Sequence, residues 1–362
     1  MVGLAGRTHN IVANAPDFRD TIAGYFTLDG SGNLTAGEVD QNKDVMVGGV
    51  LENRYKQEVP ITGTYTMPTP ATGTPTGRGI LHVAGPGGNT QNFVFYPAGP
   101  DYFAMLETDA GDPASGLISQ VLVGGAFTRT QTVFTLATGL IGSSVRSQYF
   151  LTNVGEASES SGVGLNVTQW DGKGKFTYTG DMNAEGVAST TSGPGTYTVD
   201  AKGRFEVLEG GLCSPCGYIT KSDAGVAIYD STDGGLEILE YQDVPIGGPF
   251  EIAGLQGAYS VGNRWFIFPE QQTLSGELVS NGAGTFTGTL DQNLEGDTVV
   301  NLADTETETS TSTSGGNGRF LLYNNEGGAT SALYFVNKNE ALSIQLNADN
   351  GQTQTLNQFY HQ

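Results

Sequence analysis

Residues 28–42, LDGSGNLTAGEVDQN, return as residues 170–183, WDGKGKFTYTGDMN, and again as residues 280–293, SNGAGTFTGTLDQN. Asp-Gly and Asn-Gly pairs supply the positive φ values of tight hairpin turns. The stretch that follows each turn alternates apolar and polar residues, the period of a half-buried strand. A pattern that recurs three times sets the architecture of the whole chain.

Other landmarks return with the hairpin. GTYT at 63–66 reappears at 195–198, and Gly77-Arg78 reappears as Gly203-Arg204 and Gly318-Arg319. After each Gly-Arg come two short apolar runs, FVFYPAGPDYFAML from Phe93, CGYITKSDAGVAIY from Cys216 and ALYFVNKNEALSIQ from Ala332. VGGAF at Val123 and IGGPF at Ile246 close the first two repeats, which places boundaries after Phe127 and Phe250 and gives domains 1–127, 128–250 and 251–362. The Gly-Arg pairs lie 126 and then 115 residues apart, far above a solenoid period, so the repeats are whole domains in tandem.

No window carries a sustained helical stripe, and helix is expected to be almost absent. Eight or nine short strands per repeat, joined by short links, favour neighbours that pair in sequence. The expectation is therefore an all-β chain of three tandem antiparallel meanders, closed as up-and-down β-barrels, with β-sandwiches as the alternative.

The chain has 38 acidic and 16 basic residues, a net charge of −22 and a pI near 4.3. Nucleic acid as a partner is excluded by repulsion from phosphate, and an anionic membrane surface is disfavoured likewise. No stretch reaches the ~20 apolar residues of a membrane-spanning helix. Only 15% of residues are charged, the polar surface being mostly Thr, Ser, Asn, Gln and Gly, a mixture common in secreted bacterial surface proteins. An extracellular or cell-surface location is expected, although MVGLAGRTHN has neither the basic start nor the apolar core of a signal peptide. The first repeat offers only MVGLAG as its opening strand, which reads either as an incomplete strand whose upstream residues were removed or as a short strand.

The hairpin F-T-x-D-G-x-G-N, then T-x-G-x-x-D-x-N, then G-x-Y-T and G-R-G, resembles the glycine-rich β domains of large secreted proteins of Acidobacteria-type soil and hot-spring bacteria. The resemblance covers essentially the whole chain and is weakest in the third repeat, where a Thr/Ser run at 305–314 replaces GTYT. It implies export and a surface role, and it brings no catalytic residues.

Candidate chemistry is sparse. Asp29, Ser31, Asn33, Thr35 and Asp40 fall at positions 1, 3, 5, 7 and 12 of a calcium-loop spacing, but Leu34 stands where such a loop needs glycine. Asp40/Asn42, Asp181/Asn183 and Asp291/Asn293 recur, as a different cation site or as side chains bonding their own turn backbone. Cys213 and Cys216, in LCSPCGY, are expected to form a local disulfide clamping the turn before Gly217. His9, His82 and His361 are too scattered to assemble a triad, and the acid pairs Glu107/Asp109 and Asp230/Asp233 are the kind that 38 acids produce by chance. Arg78, Arg204 and Arg319 each follow a hairpin glycine and read as strand-edge residues pairing with a neighbouring acid or carbonyl. Trp170 and Trp265 offer flat rings to a sugar, but alternation assigns most aromatics to barrel interiors.

The leading expectation is a secreted structural protein and not an enzyme. It would be a filament subunit assembling head to tail, with GQTQTLNQFYHQ at the C-terminus completing the sheet of another copy. The rival from another class is a surface module that binds glycans or a small ligand.

Overall fold

The structure is a computed structural model describing residues 2–8, 18–47, 50–68, 77–85, 90–97, 102–108, 123–129, 131–152, 160–184, 186–209, 212–229, 234–244, 250–265, 272–283, 285–294, 297–307, 317–323, 329–346 and 356–362. Eight strands form a first closed barrel in sequence order: β1 (Val2–Thr8), β2 (Phe18–Leu28), β3 (Asn33–Val47), β4 (Val50–Thr66), β5 (Gly79–Ala84), β6 (Thr90–Pro97), β7 (Tyr102–Glu107) and β8 (Val123–Phe127). A four-residue helix, α1 (Leu136–Gly139), precedes a second closed barrel. Its strands are β9 (Ile141–Thr152), β10 (Ser160–Asp171), β11 (Lys175–Ala184), β12 (Val187–Val199), β13 (Arg204–Glu209), β14 (Leu212–Lys221), β15 (Ala224–Ile228) and β16 (Gly234–Tyr241). A 3₁₀ turn (Ile252–Leu255) leads into the third sheet: β17 (Gly257–Trp265), β18 (Gln272–Ser280), β19 (Thr285–Leu294), β20 (Asp297–Thr307), β21 (Arg319–Tyr323), β22 (Ala329–Asn337), β23 (Glu340–Gln345) and β24 (Leu356–His361). This last sheet runs β20-β19-β18-β17-β24-β23-β22-β21, and its ladder ends at β20 and β21. The chain is thus all-β and antiparallel: its first two repeats are closed up-and-down barrels, and its third is an eight-stranded antiparallel sheet.

Both terminal strands pair within their own sheets. β1 pairs along its length with β2 and also with β8, from Val2↔Ala126 to Ala5↔Val123, so the first barrel's seam is closed by the short opening strand itself. The C-terminal residues form β24, held between β17 and β23 of their own sheet. The backbone groups of β24 are thus engaged within its own sheet.

Packing divides the chain into two compact units, Met1–Gly139 with Leu151–Glu159 and Thr196–Ile238, and Leu140–Phe150 with Ser160–Gly195 and Leu239–Gln362. The first unit holds barrel one and the strands β13 to β15; the second holds β10, β11 and the third sheet. The interior of the first barrel is Ile22, Leu34, Ile61, Leu81, Phe93, Phe95 and Met105, the inward half of each alternation. In the third sheet the same role falls to Tyr259, Leu278, Phe286, Phe320, Leu333 and Phe335.

Some strands break the alternation. All of β15 is buried, as are residues 332–336 of β22 and residues 341–344 of β23. Such continuous apolar runs mean that both faces of a strand are covered. One face looks into its own barrel, and the other meets the preceding repeat within the same compact unit: β15 packs on β2, and β23 on β10 and β11. Among the described residues, no helix is long and apolar enough to cross a membrane.

Candidate functional site at the repeat junctions

The recurrent Asp sits at one register position in every repeat. Asp40 lies opposite Ala23, Asp181 opposite Leu165 and Asp291 opposite Ser275. The first repeat has one residue more between turn and Asp than the others, and a bulge at Thr27/Leu28 absorbs it. Side chains here point out of the barrel, since the neighbouring Ile22 points in. The recurrent Arg is fixed just as regularly: Arg204 pairs across the ladder with Tyr218, and Arg319 with Tyr334.

The junction in the first compact unit brings these together. Arg204 Nε donates to Asp40 Oδ2 at 2.9 Å, and the Tyr218 hydroxyl donates to Asp40 Oδ1 at 3.2 Å. The Glu58 backbone N–H donates to Asp40 Oδ1 at 2.8 Å, from a residue at φ 47°, a left-handed conformation that a glutamate adopts at a cost. Arg204 also bonds Glu206 on its own strand. At the edge of the contact, Lys202 Nζ lies 2.5 Å from Glu38 Oε2, and the Arg129 guanidinium stacks 4.9 Å from the Tyr25 ring. Asn42 completes the join by donating to the Tyr229 carbonyl at 2.6 Å.

The junction in the second unit repeats the plan. Arg319 is bidentate on Asp181, Nε to Oδ2 at 2.6 Å and Nη2 to Oδ1 at 2.7 Å, and the Tyr334 hydroxyl donates to Oδ2 at 2.5 Å. The Thr190 hydroxyl, from β12, takes the place of the Glu58 N–H at 2.7 Å. Asn183 donates to the Gln345 carbonyl at 2.8 Å. Around this polar centre, Val145, Val163, Leu165 and Val167 pack with Ala332, Tyr334, Val336, Leu342 and Ile344. Gln242 ties the chain together nearby, donating to the carbonyls of Asn317 and Phe335 at 2.8 Å each.

Asp40 has no exposed surface and Asp181 only 2%. Burial raises the Asp40 carboxyl above its usual range, against the pull of Arg204, while burial and then the Asp40 charge push the Tyr218 phenol far up. Burial would lower Arg204, but the charge of Asp40 and its hydrogen bonds more than offset this and hold it protonated. Tyr334 is likewise raised, by burial first and Asp181 second. The Tyr218 and Tyr334 phenols and the Arg204 guanidinium thus keep their protons at neutral pH. Their hydrogen bonds hold the joined strands at one register, and a buried ion pair is by itself weak evidence of net stability.

The remaining candidates resolve locally. Asp29 accepts from the Ser31 and Asn33 backbone N–H groups at 2.7 and 2.9 Å and from Asn33 Nδ2 at 2.6 Å, which lowers its pKa. Asp171 and Asn281 hold the equivalent turns in the same way. The calcium-loop spacing is therefore a side-chain-closed hairpin, with Gly30 and Gly32 at φ 77° and 101°. Asp40 lies far up β3, about 3.3 Å per residue from the turn, and belongs to the junction. No cluster of three metal-ligating side chains occurs among the described residues. The turn-bonding role expected of Asp40 and Asp181 is corrected, because each meets an arginine across a junction, while Arg204 also makes the neighbouring-acid contact expected of it, with Glu206. Sequence gave no sign of the pairing, for Arg and Asp lie 164 and 138 residues apart.

Cys216 is disulfide-bonded, and Cys213 is the only other cysteine in the chain. Both stand within β14, so the bridge staples an irregularity inside a strand, opposite the register shift at Glu206/Leu208, and not a turn. Trp170 is 4% exposed, donates to Ser144 Oγ at 2.8 Å and packs on Phe176, which removes it as a sugar platform. The Trp265 side chain, His9, Asp109, Asp230 and Asp233 lie outside what is described. Glu107 faces Gln91 at 3.4 Å, His82 bonds Asn92, and His361 lies edge-on to Tyr259, so the described members of the acid pairs and histidines do not converge.

Neither protein-family models nor curated proteins give a match to this chain.

Proposed function

We propose that this chain is a secreted structural protein of the cell surface or extracellular matrix, a scaffold of docked β-barrel repeats and not an enzyme. The observation that carries the reading is where the reactive side chains go. Asp40, Asp181, Arg204, Arg319, Tyr218 and Tyr334, all buried, are engaged in joining one repeat to the next, and the equally buried Asp223, Glu237 and Arg146 lie apart from them. The barrel interiors support the same reading, for they are filled by rings and branched chains. The acidic, lysine-poor composition and the resemblance of its repeats to secreted bacterial β domains agree with export.

Antibody labelling of intact native cells, with fractionation beside it, tests this. Label on the outside of unpermeabilised cells, and the bulk of the protein in the envelope or medium, is expected. Recovery in the cytosol overturns the proposal, and selective, saturable binding to one glycan on an array replaces it with a ligand-binding role.

A further inference from the structure

The two junctions are built from two complementary faces, and each face also occurs once more. The receiving face carries the recurrent Asp on the second and third strands of a repeat: β2–β3, β10–β11 and, in the third repeat, β18–β19. The inserting face carries the recurrent Arg and Tyr beside the sixth and seventh strands: β14–β15, β22–β23 and, in the first repeat, β6–β7. Gly79 pairs with Phe95, so the ladder's next step sets Arg78 opposite Tyr96, the relation that Arg204 has to Tyr218 and Arg319 to Tyr334.

We propose that copies of this chain associate head to tail through these two faces, β18–β19 of one copy receiving β6–β7 of the next, with Asp291 holding Arg78 and Tyr96.

The outward residues of β6 and β7 are Val94, Tyr96, Ala104 and Leu106, matching Ala332, Tyr334, Leu342 and Ile344 of the third repeat in kind and in register. Tyr218 and Tyr334 have no exposed surface, whereas Tyr96 is 46% and Leu106 41% exposed. Apolar side chains held out on a sheet face of this design are what a docking surface presents. On the receiving side Asp291 and Val279 are exposed, where Asp40 and Asp181 are buried. Arg78 and Asp291 make other interactions in the single chain, which docking would rearrange. Ser275 and Glu277 stand where the second repeat has Leu165 and Val167, so less apolar area is covered than at the internal junctions, and the contact is weaker and reversible. Because the two faces differ, the contact is heterologous and propagates instead of closing on a dimer.

Sedimentation velocity of the full chain over a concentration series tests this. Wild type is expected to form species that grow with concentration. R78D and D291R should each weaken association at least about tenfold. An equimolar mixture of the two variants has complementary charges at both contacts between unlike chains, one the wild-type pair and the other the exchanged pair, and should associate again, as should R78D/D291R, which carries the exchange within one chain. L106K, at an exposed position, replaces R78D should that variant misfold by circular dichroism. A wild type that stays monomeric to its solubility limit, association indifferent to these changes, or growth only when a foreign protein is added overturns the proposal. The inference rests on the structural reading for its setting, yet the two fail separately, since cell labelling reports location and sedimentation reports this contact.

Discussion

A carboxylate with no exposed surface is stable only with its partners in place, and Asp40 has Arg204, Tyr218 and the Glu58 N–H. Arg204→Ala strands that charge and should cost about 3–5 kcal/mol in urea denaturation. Removing both charges, Asp40→Ala with Arg204→Met, should cost less than Arg204→Ala alone, because no ion is left buried. The phenols give a pH signature. Tyr218 and Tyr334 are raised by burial and by the adjacent carboxylates, whereas in the unfolded chain they ionise near pH 10. Above pH 10 the unfolded state therefore holds fewer protons than the folded one, and stability falls as pH rises. Phenolate absorbance should show these two tyrosines titrating only with cooperative unfolding, and their titration in a still-folded chain would contradict the burial described.

At the scale of the strand, one motif conceals two constraints. GTYT opens with Gly63 in the first repeat and Gly195 in the second. A Cβ at Gly63 would strike the His82 backbone carbonyl, which the β4–β5 ladder holds in place, while at Gly195 it would meet the ring of Phe176. Rings can shift and ladders cannot, so Gly195→Ala is expected to cost about 1–3 kcal/mol and Gly63→Ala clearly more, measured by thermal melting of each variant. The same contrast separates what was legible from what was not. Strand count, meander order and the Asp29 hairpin could be read because alternation and turn chemistry are local. The junction could not, since Arg and Tyr are 14 and 15 residues apart in the second and third repeats yet pair at one register position, the difference being absorbed in the hairpin. The one local trace was the failure of alternation in AGVAI and ALYFV, which marks strands covered on both faces.

At the scale of the molecule, the junctions share no side chain among the described residues: Asp40, Arg204 and Tyr218 build one, Asp181, Arg319 and Tyr334 the other. Arg204→Ala and Arg319→Ala should therefore add within about 0.5 kcal/mol when combined, and a coupling well beyond that would mean that the two sites act as one. A directionality in time also follows from the placement of the faces. The Asp-bearing strands come early in each repeat, and the apolar Arg–Tyr strands that dock on them belong to the repeat that follows. A chain emerging from its N-terminus has thus already made the receiving strands when the next inserting face leaves the ribosome. The β14–β15 and β22–β23 faces are thus each born beside their cover, and these strands spend little time bare.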